Sequence, residues 1–176
     1  MSSEREEEFH AVGRMLWEVG LVSSHGGNMS VRLPDGALLI TRTGAMLGRL
    51  DEGDLVTVAA DGTSEGQPSM DTAVHRAVYA ATAAGAVLHA HPRHAIALSL
   101  VTDAVEPADA EGKLRLGSVP VVEGEQVAEA LRDRPVVLVR GHGSYARGDD
   151  LWQGLQWTSV LEESAQVLYL LRSLRP

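Results

Sequence analysis

The sequence predicts one α/β domain in which helices cover a mixed β-sheet. The first half contains a hairpin signal, because two β-like runs flank Pro34-Asp35-Gly36. From residue 69 onward, helical segments alternate with short apolar runs, a pattern typical of helices packed against a sheet. The 176 residues are 44% hydrophobic and no linker-like stretch divides them, so the chain is long enough for one complete core.

The helices are predicted from apolar spacing and from residues that favour helix ends. In the first helix, apolar residues recur at helical spacing up to Gly20, which is a typical C-terminal stop. Ser69 is a typical cap for the second helix, and the charges of Asp149 and Asp150 favour the positive end of the last. The predicted helices are residues 3–20, 70–84, 93–100, 124–132 and 149–174.

The strands are predicted from short apolar or alternating runs that end at turn residues. They are residues 29–33, 37–41, 54–59, 86–91, 119–122 and 135–139. Residues 102–117 are the least regular part of the chain and are predicted to form a loop.

Composition and charge narrow the class of protein. The net charge of −9 argues against a nucleic-acid-binding surface. The absence of cysteine excludes a disulfide scaffold and fits a reducing compartment. The acidic start of the chain lacks a signal-peptide pattern, and no run of 18 apolar residues could span a membrane. We therefore expect a cytoplasmic protein with neither nucleic-acid nor membrane partners.

Two histidines at the end of a predicted strand are the strongest chemical signal. His89 and His91 are two positions apart, so their side chains leave the same face of the strand, about 6–7 Å apart at Cα. Pro92 then ends the strand. This pair could bind one metal ion, but two ligands do not complete a zinc site, and buried histidines are often only hydrogen-bonded.

A third histidine offers the missing ligand. His142 lies between Gly141 and Gly143, directly after the apolar strand 135–139. The alternative interpretation is a flexible turn that happens to contain histidine. Because two separate strands both end at histidine, a metal site is favoured. Three imidazoles with open positions suit a catalytic divalent ion, zinc first.

Other polar residues at loop and element ends support two interpretations. Asp71, in the first turn of the second helix, could be an acid/base or a fourth metal ligand, although a solvated carboxylate is common at this position. His75 lies one helical turn further on and is interpreted as a packing or supporting residue. Asn28, Ser69 and the Thr43-Gly44 pair could hold an anion or belong to ordinary turns. Arg42 is interpreted as a surface charge.

Taken together, several segments resemble the class II aldolase/adducin family in its short L-fuculose-phosphate aldolase-like branch. They are Gly27-Asn28-Met29-Ser30-Val31-Arg32, Ile40-Thr41-Arg42-Thr43-Gly44, Pro68-Ser69-Met70-Asp71 with His75 and Tyr79, His89-Ala90-His91-Pro92, and Gly141-His142-Gly143 with Gly148 and Glu162. They follow the family's order over nearly the whole chain.

The resemblance implies a single α/β/α domain over residues 1–176, with a mixed, mostly antiparallel sheet between helical layers. It implies one Zn²⁺ per subunit, or another divalent transition metal, held by His89, His91 and His142. It also implies a homotetramer with sites at subunit interfaces. The residues implied to contact a substrate phosphate are Asn28, Thr43, Gly44 and Ser69.

The chain departs from the family pattern at two positions and at its end. Asp71 stands where the family usually has glutamate, which shortens the reach of the carboxylate by about 1–1.5 Å. Met70 replaces a hydroxyl residue that would bind phosphate. The family's tail tyrosine has no assignable counterpart, and Tyr169 is interpreted as helix packing.

The resulting hypothesis is an aldolase that cleaves a ketose 1-phosphate, such as L-fuculose 1-phosphate, to dihydroxyacetone phosphate and an aldehyde. Zinc would stabilise the enediolate as a Lewis acid, and Asp71 would carry the proton. A zinc-dependent dehydratase of the methylthioribulose-1-phosphate type, or an epimerase, would use the same enediolate. A non-catalytic adducin-like interaction module is the alternative from another class.

Overall fold

The computed structural model describes the backbone of residues 2–174 and the side chains of residues 4–174. Its centre is an eight-stranded sheet with strand order β3-β2-β1-β4-β8-β7-β6-β5. All neighbouring strands are antiparallel except β6 and β7, which are parallel. The strands are β1 (Asn28–Arg32), β2 (Leu38–Thr41), β3 (Leu55–Val58), β4 (Ala86–Ala90), β5 (Ala104–Val105), β6 (Val119–Val122), β7 (Val136–Val139) and β8 (Gly143–Gly148).

Helices cover both faces of this sheet, as the sequence predicts. They are α1 (Ser2–Glu18), α2 (Thr72–Ala81), α3 (Arg93–Ser99), α4 (Ala110–Arg115), α5 (Val127–Ala130) and α6 (Leu151–Ser173). The single-domain α/β architecture with a mixed sheet between helices is confirmed.

Side chains alternate between the two faces along each central strand. On β4, Leu88 packs in a cluster with residues of α1 and α6, whereas Val87 packs with residues of α2 and α5. On β7, Leu138 packs with α3 and α6, whereas Val137 joins the α2 side. His89 therefore leaves the sheet on the face that α2 covers, two positions after Val87.

The structure corrects several element predictions. The second helix begins at Thr72 and ends at Ala81, so Asp71 is its N-cap residue and Ser69 lies before it. The predicted loop 102–117 contains β5 and α4, with α4 capped by Asp109. The segment after His142 is strand β8, which the sequence interpretation missed.

Within residues 2–174, no helix is long and apolar enough to cross a membrane.

Candidate active site

The pairing of β4 with β8 brings the three histidines together. In this antiparallel pair His89 lies opposite Tyr145 and Ala90 lies opposite Ser144. One step further, β4 ends towards His91 while β8 begins just after His142. Two segments far apart in sequence therefore deliver their histidines to the same edge of the sheet.

The turn from β7 into β8 fixes the third histidine. The amide of His142 donates a hydrogen bond to the carbonyl oxygen of Val139 at 3.0 Å. Gly141 has a φ of +66°, a conformation that glycine adopts without strain. Gly141 and Gly143 thus belong to a tight hairpin turn that holds His142, rather than to a flexible loop.

The three imidazoles form one cluster. One nitrogen from each of His89, His91 and His142 lies within 4.8 Å of the other two. The Nε2 atoms of His89 and His91 are 3.0 Å apart. The ring of His142 stacks on that of His89, with centroids 5.0 Å apart. His89 is buried, His91 half-buried and His142 exposed, so the cluster opens to solvent on one side.

The surroundings of the cluster suit a divalent metal ion. The carbonyl oxygen of Ser144 accepts a hydrogen bond from Nδ1 of His89 at 2.9 Å, so Nε2 of the neutral ring carries the free lone pair. Burial, and then the neighbouring His91, lower the pKa of His89 to about 3, against the opposing effect of Asp71. Burial and then His142 also lower the pKa of His91. Neutral imidazoles are the form that binds metal, and nitrogens bonded tetrahedrally to zinc lie about 3.3 Å apart.

Asp71 is the carboxylate next to this cluster. Its Oδ2 atom lies 3.9 Å from Nε2 of His89 and accepts a hydrogen bond of 2.7 Å from the side-chain amide of Asn28. Burial raises the pKa of Asp71, but the Asn28 hydrogen bond, the electrostatic interaction with His89 and the Tyr145 hydroxyl outweigh burial, so the net pKa is lowered. The carboxylate is thus held ionised beside the histidine nitrogens.

A cavity of about 190 Å³ opens over the cluster and collects the predicted anion-binding residues. Besides the histidines and Asp71, its walls include Asn28, Thr43, Gly44 and Ser69. In this state the Thr43 hydroxyl donates to the carbonyl oxygen of Pro68 at 2.8 Å, and Ser69 Oγ accepts from the amide of Asp71 at 3.2 Å. Every residue that the sequence assigned to the site therefore lines one cavity.

The sequence interpretation missed three residues at this site. Arg42 is exposed, as its interpretation as a surface charge implies, but it also lines the cavity and forms an ion pair of 2.6 Å with the buried Asp54. His25 also lines the cavity, although no sequence pattern marked it. Tyr145 stacks on His89, and only the strand register, absent from the sequence interpretation, could have indicated it.

The fold is α/β and the histidine–carboxylate cluster fits a metal site, and comparison with known proteins identifies the family of the chain. The model for "Class II Aldolase and Adducin N-terminal domain" matches residues 7–169, and the chain belongs to this family. The chain is 31% identical over 182 residues to 3-oxo-tetronate 4-phosphate decarboxylase of Escherichia coli K12, covering 94% of this chain and 86% of that protein. It is 34% identical over 172 residues to methylthioribulose-1-phosphate dehydratase of Acidiphilium cryptum, covering 84% and 81%.

Among solved structures, L-fuculose-1-phosphate aldolase of Thermus thermophilus superposes with a TM-score of 0.90 and 38% identity, covering 97% of this chain and 96% of that one. Class II aldolases depend on a metal, and the three-histidine cluster fits a metal site. The similar proteins carry three different activities, so the family alone does not select one reaction.

Proposed function

We propose that this protein is a divalent-metal-dependent aldolase that cleaves a ketose 1-phosphate, such as L-fuculose 1-phosphate, to dihydroxyacetone phosphate and an aldehyde. The observation that carries the proposal is the convergence of three imidazoles with a carboxylate 3.9 Å from one of them. Retention of all three histidines argues against a non-catalytic adducin-like module.

In this proposal His89, His91 and His142 hold one zinc ion. When bound, the ion would supply Lewis-acid stabilisation of the negative charge that develops on the carbonyl and adjacent hydroxyl oxygens. In the cleavage direction the C–C bond next to the carbonyl breaks as the hydroxyl of the departing aldehyde loses its proton to solvent, and Asp71 gives a proton to the carbon that lost its bond. In the reverse direction Asp71 removes that proton. Asn28, Thr43, Gly44 and Ser69, which line the same cavity, bind the distal phosphate.

The remaining chemistry does not require a Schiff base. Lys113, the only lysine, lies on α4, in the part of the sequence predicted as a loop, and is not among the residues that line the site cavity. A metal-assisted mechanism is therefore favoured over a covalent one.

Metal analysis joined to substitution of a ligand tests the proposal. We expect His142→Ala to lose bound zinc and turnover together. His10→Ala, at an exposed histidine on α1, is the matched control and should keep both. Full activity in a metal-free preparation would exclude this mechanism.

A second candidate is favoured by the names of the relatives. A decarboxylase, a dehydratase or an epimerase can use the same metal-stabilised negative charge, and the chain is 31% and 34% identical to proteins named for the first two. Product analysis separates these activities. A three-carbon fragment indicates cleavage, carbon dioxide indicates decarboxylation, and an intact but dehydrated carbon skeleton indicates elimination.

We further propose a cytoplasmic homotetramer with its sites at subunit interfaces. Exposed apolar side chains support an assembly, because the last two turns of α6 expose Tyr169, Leu170 and Leu174. Light scattering of the purified chain should give a mass four times 18.8 kDa. A monomer at the concentration used for assays would contradict the proposed assembly.

A further inference from the structure

Tyr145 contacts the centre of the site, yet neither the sequence pattern nor the mechanism above uses it. It is 3% exposed and lies opposite His89 in the β4–β8 pair. Its ring stacks on the His89 ring, with centroids 4.2 Å apart and planes inclined by 17°. Its hydroxyl interacts with the carboxylate of Asp71. Tyr145 therefore bridges a candidate metal ligand and the candidate acid/base.

The environment behind Tyr145 fixes the ring. The edge of the His75 ring meets it in a T-shaped contact, with centroids 6.2 Å apart. His75 is itself held by Ser30, whose Oγ lies 2.7 Å from His75 Nδ1 and 2.8 Å from the Tyr79 hydroxyl. A tyrosine hydroxyl is protonated at neutral pH and an ionised carboxylate only accepts hydrogen bonds, so Tyr145 is the donor towards Asp71.

A hydrogen-bond donor that orients the carboxylate matters more for Asp71 than it would for a longer glutamate. Its carboxylate is about 1–1.5 Å shorter in reach than glutamate, and proton transfer is sensitive to displacements of that size. The amide of Asn28 holds Oδ2 at 2.7 Å. One hydrogen bond leaves the carboxylate free to rotate about its own axis, whereas donors from two directions define its plane.

We propose that Tyr145 is a positioning residue for Asp71, and that its hydroxyl and the Asn28 amide together orient the short carboxylate towards the substrate carbon. This inference rests on the proposed function, because it assigns Tyr145 a role in the same proton transfer. Tyr145 is not proposed to touch the reacting atoms.

Asn28 is the only asparagine in the chain, which allows a test that does not depend on activity. Selective ¹⁵N labelling of asparagine gives one side-chain amide signal in an NMR spectrum, and this amide donates to Asp71 Oδ2. We expect Tyr145→Phe, which keeps the ring, to shift this signal as the carboxylate reorients. Tyr169→Phe, which removes the hydroxyl of an exposed tyrosine on α6, should leave the signal in place.

The kinetic test uses the exchange of the carbon-bound protons of dihydroxyacetone phosphate with D₂O. In the zinc-loaded protein, Tyr145→Phe should lower the maximal exchange rate about 10- to 100-fold, with KM changed less than about threefold, because orientation rather than binding is lost. Zinc content should match the wild type. Tyr169→Phe should retain the wild-type exchange rate.

A double-mutant cycle with Asp71→Asn separates action through Asp71 from an independent effect. If Tyr145 acts through the carboxylate, Tyr145→Phe should have no further effect once Asp71 is asparagine. Additive losses would overturn the inference, and so would an unshifted Asn28 signal. If the wild-type protein binds zinc but catalyses no exchange, the proposed function fails, and the NMR measurement alone then decides the role of Tyr145.

Discussion

Gly143 lies where the two strands of the site meet and has no room for a side chain. A Cβ atom there would lie 2.4 Å from the carbonyl oxygen of Ala90, 2.8 Å from the His91 ring and 2.9 Å from the His89 ring. We expect Gly143→Ala to displace both rings, lower the free energy of unfolding by about 1–3 kcal/mol and weaken zinc binding. Chemical denaturation and metal quantification measure these effects.

Gly124→Ala is the matched control for this substitution. A Cβ at Gly124 meets no atom within 4 Å, so the variant should keep wild-type stability and zinc content. Normal zinc binding in Gly143→Ala would contradict the close packing of Gly143 against the His89 and His91 rings.

The buried His75 predicts a pH dependence of stability. Burial lowers the pKa of His75 from 6.5 to about 4, against a smaller opposing effect of Asp71. Between pH 6.5 and pH 4 the His75 imidazole is protonated in the unfolded chain and neutral in the folded protein. Its contribution to the free energy of unfolding is therefore complete above pH 6.5 and falls as the pH drops towards 4. The shift corresponds to a loss of about 3 kcal/mol across this window.

Comparison with His75→Gln isolates this contribution, since other groups that titrate in the same range act in both proteins. In metal-free samples, we expect the free energy of unfolding of the wild type to fall, relative to that of the variant, by about 3 kcal/mol from pH 7 to pH 4. A difference independent of pH would show that His75 is not buried in its neutral form.

At the scale of residues, sequence spacing predicted that His89 and His91 share one face of a strand, because the period of a strand fixes which side chains lie together, and the structure places both in one cluster with His142. Tyr145 and Arg42 were missed, because their contacts depend on the register of distant segments. His89 meets Tyr145 only through the β4–β8 pair, and Arg42 meets Asp54 because the β2–β3 pairing continues one step beyond Thr41 and Leu55. Such contacts leave no local pattern.

At the scale of elements, the site depends on a cap that joins α6 to α3. The Glu162 carboxylate accepts hydrogen bonds from the amides of His94, at 3.1 and 3.2 Å, and Ala95, at 3.2 Å. It also lies 2.7 Å from His94 Nδ1. Because α3 begins two residues after His91, this cap fixes the chain just beyond the β4 histidines.

Removal of this cap should cost stability. We expect Glu162→Ala to lower the free energy of unfolding by about 1–3 kcal/mol, because it leaves two helix N–H groups without their acceptor. Glu163→Ala, at the exposed neighbour, should have little effect. Urea unfolding measures the free energy of unfolding of both variants. Equal values would show that water satisfies the His94 and Ala95 amides as well as Glu162 does.

The central elements were predicted more accurately than the peripheral ones. Apolar strands such as β4 and β7 are buried on both faces, and continuous runs of hydrophobic residues in the sequence indicate this burial. Strand β8 was missed, because Gly143, Ser144 and Gly148 are poor β-formers in isolation and become a strand only through pairing with β4 and β7. Helix α4 is too short to give a clear periodic signal.

At the scale of the whole molecule, the net charge opposes the proposed substrate. The chain carries a formal charge of −9, whereas a sugar phosphate is an anion. Arg42, the guanidinium in the cavity wall, is already paired with Asp54. The anion must therefore approach against a repulsive long-range field and be held by short-range hydrogen bonds and the metal.

This arrangement predicts an unusual response to salt. The Debye length falls from about 30 Å at 0.01 M to about 8 Å at 0.15 M, so salt screens the distant negative charges more than the contacts inside the cavity. We expect kcat/KM for a phosphorylated substrate to rise a few-fold over this range. Proton exchange of unphosphorylated dihydroxyacetone, a neutral control, should not change. A fall in kcat/KM with added salt would mean that a local positive potential at the cavity mouth outweighs the charge of the molecule, and Arg42→Gln should then abolish the fall.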